Sequence, residues 1–216
     1  MYHIGIQSRW DSKSAIGTVF KNNTTITSFI DLRVFYGVKW LGVDDNYSRS
    51  AFGGCTNLAT IGLPIGLTGI GYQNFQSCSK LSAITIPNTV TTISRQAFKD
   101  CTSYRNIIIP DSVKSLGTGA FEGTLANKVT IGTGVTSINN YAFTKWNRSI
   151  PVFIIKATTP PSIPTVGIFY NNNTYFPSAI YVPDNSVNAY KTSWSAYAEV
   201  IKPMSEYTGE IPATNY

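Results

Sequence analysis

Apolar residues in this chain recur on two scales. Locally they alternate. In Ala83-Ile84-Thr85-Ile86-Pro87, polar or small neighbours flank Ile84 and Ile86, the period-two signature of a strand with one buried face. Proline then ends the strand, because it cannot donate to a ladder. On the longer scale Phe52, Phe75, Phe98 and Phe121 fall at intervals of 23, and Phe143 follows after 22. Cys55, Cys78 and Cys101 keep that interval, as do Leu58, Leu81 and Tyr104. So do the pairs Ile61 with Leu63, Ile84 with Ile86 and Ile107 with Ile109, the prolines 64, 87 and 110, and the later apolar sites Leu67, Val90, Val113 and Ile70, Ile93, Leu116. A fixed period in the twenties predicts one structural unit stacked on copies of itself.

Stacked one per turn, about 4.8 Å apart, such strands make a parallel sheet whose buried side is a column of Ile and Leu. The Ala-Phe-x-x-Cys-x-x-Leu stretch spaces its apolar residues by three. That spacing suits a short helical or 3₁₀ arc closing the coil from behind. Weaker turns extend the pattern. Phe29, Leu32, Val34, Val38 and Leu41 precede six extra residues within Gly42 to Ser50. Val129, Ile131, Val135, Ile138 and Ala142-Phe143 follow the strong repeats, and Ile180-Tyr181-Val182-Pro183 restates the strand and its stop.

A terminal coil would expose its apolar face, so both ends need caps. Asp184-Asn185-Ser186 offers helix N-cap residues, and Val187, Tyr190, Trp194, Tyr197 and Ile201 recur at threes and fours until Pro203. The predicted organisation is an N-terminal cap region over 1–28 (with Trp10, Ile16, Val19, Phe20 and Ile26), a solenoid over 29–183, a cap helix over 184–203 and a polar, extended tail over 204–216.

The L-x-x-I-x-I core is the strand signature of leucine-rich repeats, with Ile allowed for Leu. Together with the Ala-Phe and the Cys, it makes residues 26 to 201 resemble the BspA-like leucine-rich-repeat family of bacterial surface proteins. Ala157-Thr158-Thr159-Pro160-Pro161, Tyr181-Val182-Pro183 and Tyr190-Lys191 resemble the way that family's repeat runs end. The resemblance implies an α/β leucine-rich-repeat solenoid, with short parallel strands, one per turn of about 23 residues, short helical or 3₁₀ arcs and a C-terminal cap helix. It also implies adhesion, whereas the repeat by itself implies only a binding scaffold.

Composition narrows the partners. Charged residues are only 13%, and the net charge of +6 contains no run of Lys or Arg, so the electrostatic footprint expected for nucleic acid is absent. A polar, uncharged surface fits an exported or extracellular protein. Met1 to Arg9 has no apolar stretch, so no signal peptide is expected, nor is membrane insertion. Two readings follow: a segment without its leader, or a chain that reaches a virion surface by another route. The cysteines share one repeat position and read as a column of small buried hydrophobes, with one disulfide between adjacent coils left open.

Catalytic and cofactor chemistry finds no foothold. His3 is the sole histidine and lies outside the repeats. Asp44-Asp45-Asn46 lacks the remaining spacing of a cation loop. Gly117-Thr118-Gly119 and the glycines from Gly66 to Gly71 fit no phosphate-binding pattern. No cofactor or metal is expected, and the chain reads as non-enzymatic.

Contact residues are sought on the strand alternates that line the concave face: Arg33, Thr60 with Gly62, Ala83 with Thr85, Asn106 with Ile108, and Lys128 with Thr130. Two irregular segments add candidates, Tyr47 and Arg49 in the insertion, and Phe169, Tyr170, Tyr175 and Phe176 between Pro160 and Pro177. The functional expectation is a recognition or adhesion module on a bacterial or phage surface that binds a protein or a glycan. The alternative is a structural subunit of a virion or appendage, with loops touching neighbouring subunits.

Overall fold

The computed structural model describes residues 15–16, 20–29, 38–42, 50–144, 151–164, 167–169 and 176–214. In chain order its strands are β1 (Ala15–Ile16), β2 (Ser28–Phe29), β3 (Trp40–Leu41), β4 (Thr60–Ile61), β5 (Gly69–Ile70), β6 (Thr92–Ile93), β7 (Asn106–Ile109), β8 (Ser115–Leu116), β9 (Lys128–Ile131), β10 (Ser137–Ile138), β11 (Val152–Ile155), β12 (Ala179–Val182) and β13 (Ile201–Pro203). The helix α1 (Val187–Ser193) precedes β13. Every strand pairing is parallel. Each turn of the coil brings the chain back to the ladder running in the same direction, so successive strands stack parallel.

Each coil begins at its phenylalanine. The rings of Phe20, Phe52, Phe75, Phe98, Phe121 and Phe143 form one stack, with successive centroids 5.1 to 5.5 Å apart and planes within 11° of parallel. Phe20, within the region 1–28 expected as an N-terminal cap, thus continues the ring stack beyond Phe52. Phe169 opens the last coil: the Phe143 N–H donates to the Ile168 carbonyl at 3.0 Å, as Phe121 does to Ala142. The Phe169 ring then meets Phe143, Phe153 and Tyr197 instead of extending the parallel stack.

The arcs behind the sheet have an alternating bond pattern. The N–H groups of Gln73, Phe75 and Ser77 donate to Arg95, Ala97 and Lys99 in the next coil, while those of Asn74, Gln76 and Cys78 donate back three residues to Gly71, Gln73 and Phe75. Half the donors thus make 3₁₀-type bonds and half make a ladder between coils. Residues in the left-handed region hold this zigzag: Gln73, Ser77, Gln96, Asp100 and Tyr141, with Gly119 and Gly123 in the Phe121 coil. Inside the arc, each thiol donates to a phenylalanine carbonyl of an earlier coil, Cys55 to Phe20, Cys78 to Phe52 and Cys101 to Phe75, at 2.9 to 3.1 Å. All three cysteines are free and buried, so the disulfide left open by the sequence is not formed.

Two ladders run along the solenoid where the sequence pattern predicts one. The expected ladder is formed by β2 with β4, a single bridge from Thr60 to Ala83, and then β7-β9-β11-β12-β13. The second, β1-β3-β5-β6-β8-β10, lies at the Val-x-x-Ile positions. The expected ladder is interrupted after the Phe75 coil. There Tyr104 replaces the smaller Leu58 and Leu81, its ring tilts against Phe98 and Phe121, and its hydroxyl donates to the Ile84 carbonyl at 3.3 Å. No ladder bond from β7 reaches that strand among the described residues, and β7 forms the edge of its own sheet.

The C-terminal cap is more broken than a single helix over 184–203. A 3₁₀ turn (Asp184–Ser186), α1 and a second 3₁₀ turn (Ser195–Val200) succeed one another, and the last residues become β13. Tyr190, Trp194 and Tyr197 still form the apolar stripe, all buried against the last coil. The Tyr190 hydroxyl and the Trp194 indole N–H donate to the carbonyls of Ala157 and Pro161. Asp184 does not cap the helix; its Oδ1 accepts the Ser205 N–H instead.

Candidate functional site

The outward face of the strand ladder divides into an open part and a covered part. In the open part, Thr60, Ala83, Thr85 and Asn106 are exposed and Gly62 is half-buried. Here the strands of the Phe52 and Phe75 coils splay after the Thr60–Ala83 bridge. Between them lies a groove of about 650 Å³ whose lining includes Ile61, Leu63, Ile65, Ile84, Pro87 and Thr89. Ile65 at its rim is 55% exposed, the most exposed of the large hydrophobic side chains described.

In the covered part the register sets Ile108, Thr130, Ile154, Tyr181 and Lys202 in one outward row. Thr130 and Ile154 are fully buried although they point away from the solenoid core. The C-terminal segment lies across this face. Tyr207 packs its ring on Tyr181, with centroids 5.0 Å apart. Lys128 Nζ donates to the Glu210 carbonyl, and Lys156 Nζ donates to the Pro212 carbonyl at 2.6 Å and to Thr214 Oγ1 at 3.2 Å. Thr214 is buried, its hydroxyl donates to Asp111 Oδ1 at 2.7 Å, and its carbonyl accepts the Asp111 N–H. The polar tail thus lies along the sheet face.

Asp111 anchors that end. Partial burial by itself would raise its pKa. Hydrogen bonds from the Thr133 N–H, from the Thr214 and Thr133 hydroxyls, and the charge of Lys156 outweigh this and hold the carboxyl below the usual range. The buried thiols shift the other way. Burial, reinforced by the neighbouring Cys55, pushes Cys78 up to about 12, and burial pushes Cys101 well above its ordinary value. These thiols stay protonated and weakly nucleophilic at neutral pH.

Of the contact residues predicted from sequence, Thr60, Thr85 and Asn106 are exposed, and Ile108 and Lys128 are half-buried. Thr130 and Phe169 are corrected: Thr130 lies under the C-terminal segment, and Phe169, 3% exposed, is a core ring of the last coil. Phe176 is 51% exposed, with its ring edge against Tyr197. Arg33, Tyr47, Arg49, Tyr170 and Tyr175 lie outside the described residues. The groove at Ile65 and the latch at Asp111 were missed. The first depends on the splay of two strands beyond the Thr60–Ala83 bridge, which the repeat pattern does not announce. The second joins residues 103 apart in sequence.

No helix among the described residues is long and apolar enough to cross a membrane. No match was found among curated proteins. A leucine-rich repeat protein from Bacteroides ovatus is 27% identical over 69% of this chain, with a TM-score of 0.47; the match spans 44% of that protein's length. The leucine-rich repeat protein of T. pallidum is 22% identical, covers 92% of this chain and 78% of its own, and superposes with a TM-score of 0.56. The fold is accordingly that of the leucine-rich-repeat solenoids. Six copies of the BspA type leucine rich repeat match residues 46–149, so the repeats over that span are of the BspA type.

Proposed function

We propose that this chain is a non-enzymatic recognition or adhesion module displayed on a bacterial or phage surface, where it binds a protein or a glycan through its strand face. The observation that carries the reading is the open part of that face. Exposed Thr85 lines an apolar groove with Ile65 at its rim, and Thr60 and Asn106 are exposed on the same strand face, above the ring stack. Hydroxyl and amide groups beside an accessible apolar surface suit contact with a polar macromolecule. The low charge of the chain, 13%, fits an extracellular setting. Exposed Phe176, with Tyr170 and Tyr175 beside it in sequence, offers a second contact region.

The test is retention of the fluorescently labelled full chain on intact cells and on a glycan array. Ile65→Asp combined with Thr85→Lys is expected to reduce retention at least tenfold, and Tyr170, Tyr175 and Phe176 changed together to Ser to reduce it further. Retention unaffected by both sets of substitutions would remove these surfaces from the proposal. Absence of retention on any cell or glycan would remove adhesion itself.

A further inference from the structure

The covered half of the strand face already shows what kind of chain it accepts. Residues 204–214 cross it as an extended segment after one 3₁₀ turn (Met204–Glu206). The segment carries Glu206 and Glu210 and no cation, whereas the face beneath presents Lys128, Lys156 and Lys202. Its polar attachments are few: two lysines reaching its carbonyls, the Asp184 contact with Ser205 at one end, and the Asp111–Thr214 pair at the other. Nor is the fit complete. The Thr130 hydroxyl, shut away from water, has no hydrogen-bond partner. A group left unsatisfied under a cover regains a partner when water is readmitted, so this face gains something when the cover lifts.

We infer that residues 204–214 are a displaceable strap, filling in cis a surface whose external partner is an extended, acidic polypeptide. Charge sets the polarity of that partner, and the strap itself demonstrates the backbone conformation. Tyr181 provides an aromatic platform for a ring, as Tyr207 now uses it. Lys128 opens β9 opposite Val152 and Lys156 follows the far end of β11, so the two donors lie one strand over and four residues along, spaced to hold an extended chain at two points. The Asp111–Thr214 pair is then the latch that decides whether the surface is open. This inference rests on reading the strand face as the contact surface, and it adds that half of that face is occupied until the strap leaves.

The experiment uses the full chain and a labelled synthetic peptide of residues 204–216 as the probe. Tyr207→Ala with Thr214→Ala loosens the strap and leaves the face unaltered. This variant is expected to bind the peptide at least tenfold more tightly than the wild type, with affinity falling as salt rises. Adding Lys128→Gln and Lys156→Gln should abolish that gain. Equal affinity of wild type and loosened variant, or a gain that survives loss of both lysines, would overturn the inference. Should the loosened variant fail to fold, hydrogen exchange of the wild type decides. Backbone amides of the strap should exchange at least a hundredfold faster than those of Val129 to Ile131, and exchange of strap and sheet as one unit would overturn it. Peptide binding as expected, together with no retention on cells or glycans, would count against the recognition reading alone.

Discussion

Phe98 offers the sharpest test of the column. Its ring is fully buried and lies between Phe75 and Phe121, at centroid distances of 5.2 and 5.1 Å with planes 11° and 4° apart. Truncation to Ala empties a site closed above and below by other rings, which cannot collapse without breaking register. The cost should therefore fall at the upper end of the range of about 3–5 kcal/mol for a core Phe→Ala change. Phe98→Leu separates packing from stacking. Leucine keeps most of the apolar volume and loses three ring pairs, the tilted one with Tyr104 and the two stacked ones; at about 0.5–1.5 kcal/mol each beyond buried area, the stacked pairs alone should cost about 1–3 kcal/mol. Urea unfolding followed by circular dichroism measures both, with the m-value checked for constancy. A cycle of Phe75→Leu, Phe98→Leu and the double variant then isolates one pair. Its coupling should be about 0.5–1.5 kcal/mol. Coupling under about 0.3 kcal/mol, the scatter of independent sites, would refute the idea that the stack is cohesive in its own right and reduce it to ordinary apolar filling.

Three further outcomes are expected. Ser77 adopts φ 60, so Ser77→Gly should relieve left-handed strain and raise stability by up to about 1 kcal/mol, while Gly123→Ala (φ 73, with the new methyl driven against the Asp100 carboxyl) should lower it; thermal melts read both signs. The buried thiols should resist iodoacetamide at pH 8 in the native chain and react on unfolding, as mass spectrometry would show. Because they stay protonated when folded and ionise when unfolded, stability should also decline as pH rises above about 8.5. Asp111 has the opposite sign. Its lowered folded pKa adds stability that is present above the unfolded value of about 3.9 and lost as pH falls through the folded one. Acid titration by NMR should therefore release the Thr133 amide and the Thr214 end of the strap before the sheet melts, and Asp111→Asn should remove that step.

How much of this was legible in the sequence varies with the range of the forces involved. Positions fixed by the coil-to-coil offset could be read directly: the rings from Phe52 to Phe143, the cysteine column and the Ile pairs all lie where the period puts them. Phe20 and Phe169 have the same role but sit 32 residues before Phe52 and 26 after Phe143, so insertions hide them from a periodicity search. The second ladder escaped because Val-x-x-Ile spacing looks like a turn, and only the neighbouring coils convert it to strand pairs such as Gly69 with Thr92. The strap was read as a polar, extended tail because its apolar residues, Met204, Tyr207 and Ile211, follow no strand or helix period. Its place is set by Lys128, Lys156 and Asp111, which belong to other coils.

The zigzag of donors in the arcs bears on how such a chain can change length. The Phe52 N–H needs the Asn74 carbonyl, and the Phe98 N–H needs that of Ala120. Excision of residues 75–97 would bring Asn74 directly before Phe98 with both demands still met, and Cys101 would find the Phe52 carbonyl where Cys78 had been. Excision that removed only part of an arc would leave mismatched donors at the seam. Duplication or loss in whole modules is thus the low-cost route by which evolution, or a designer, can set the span between the two ends.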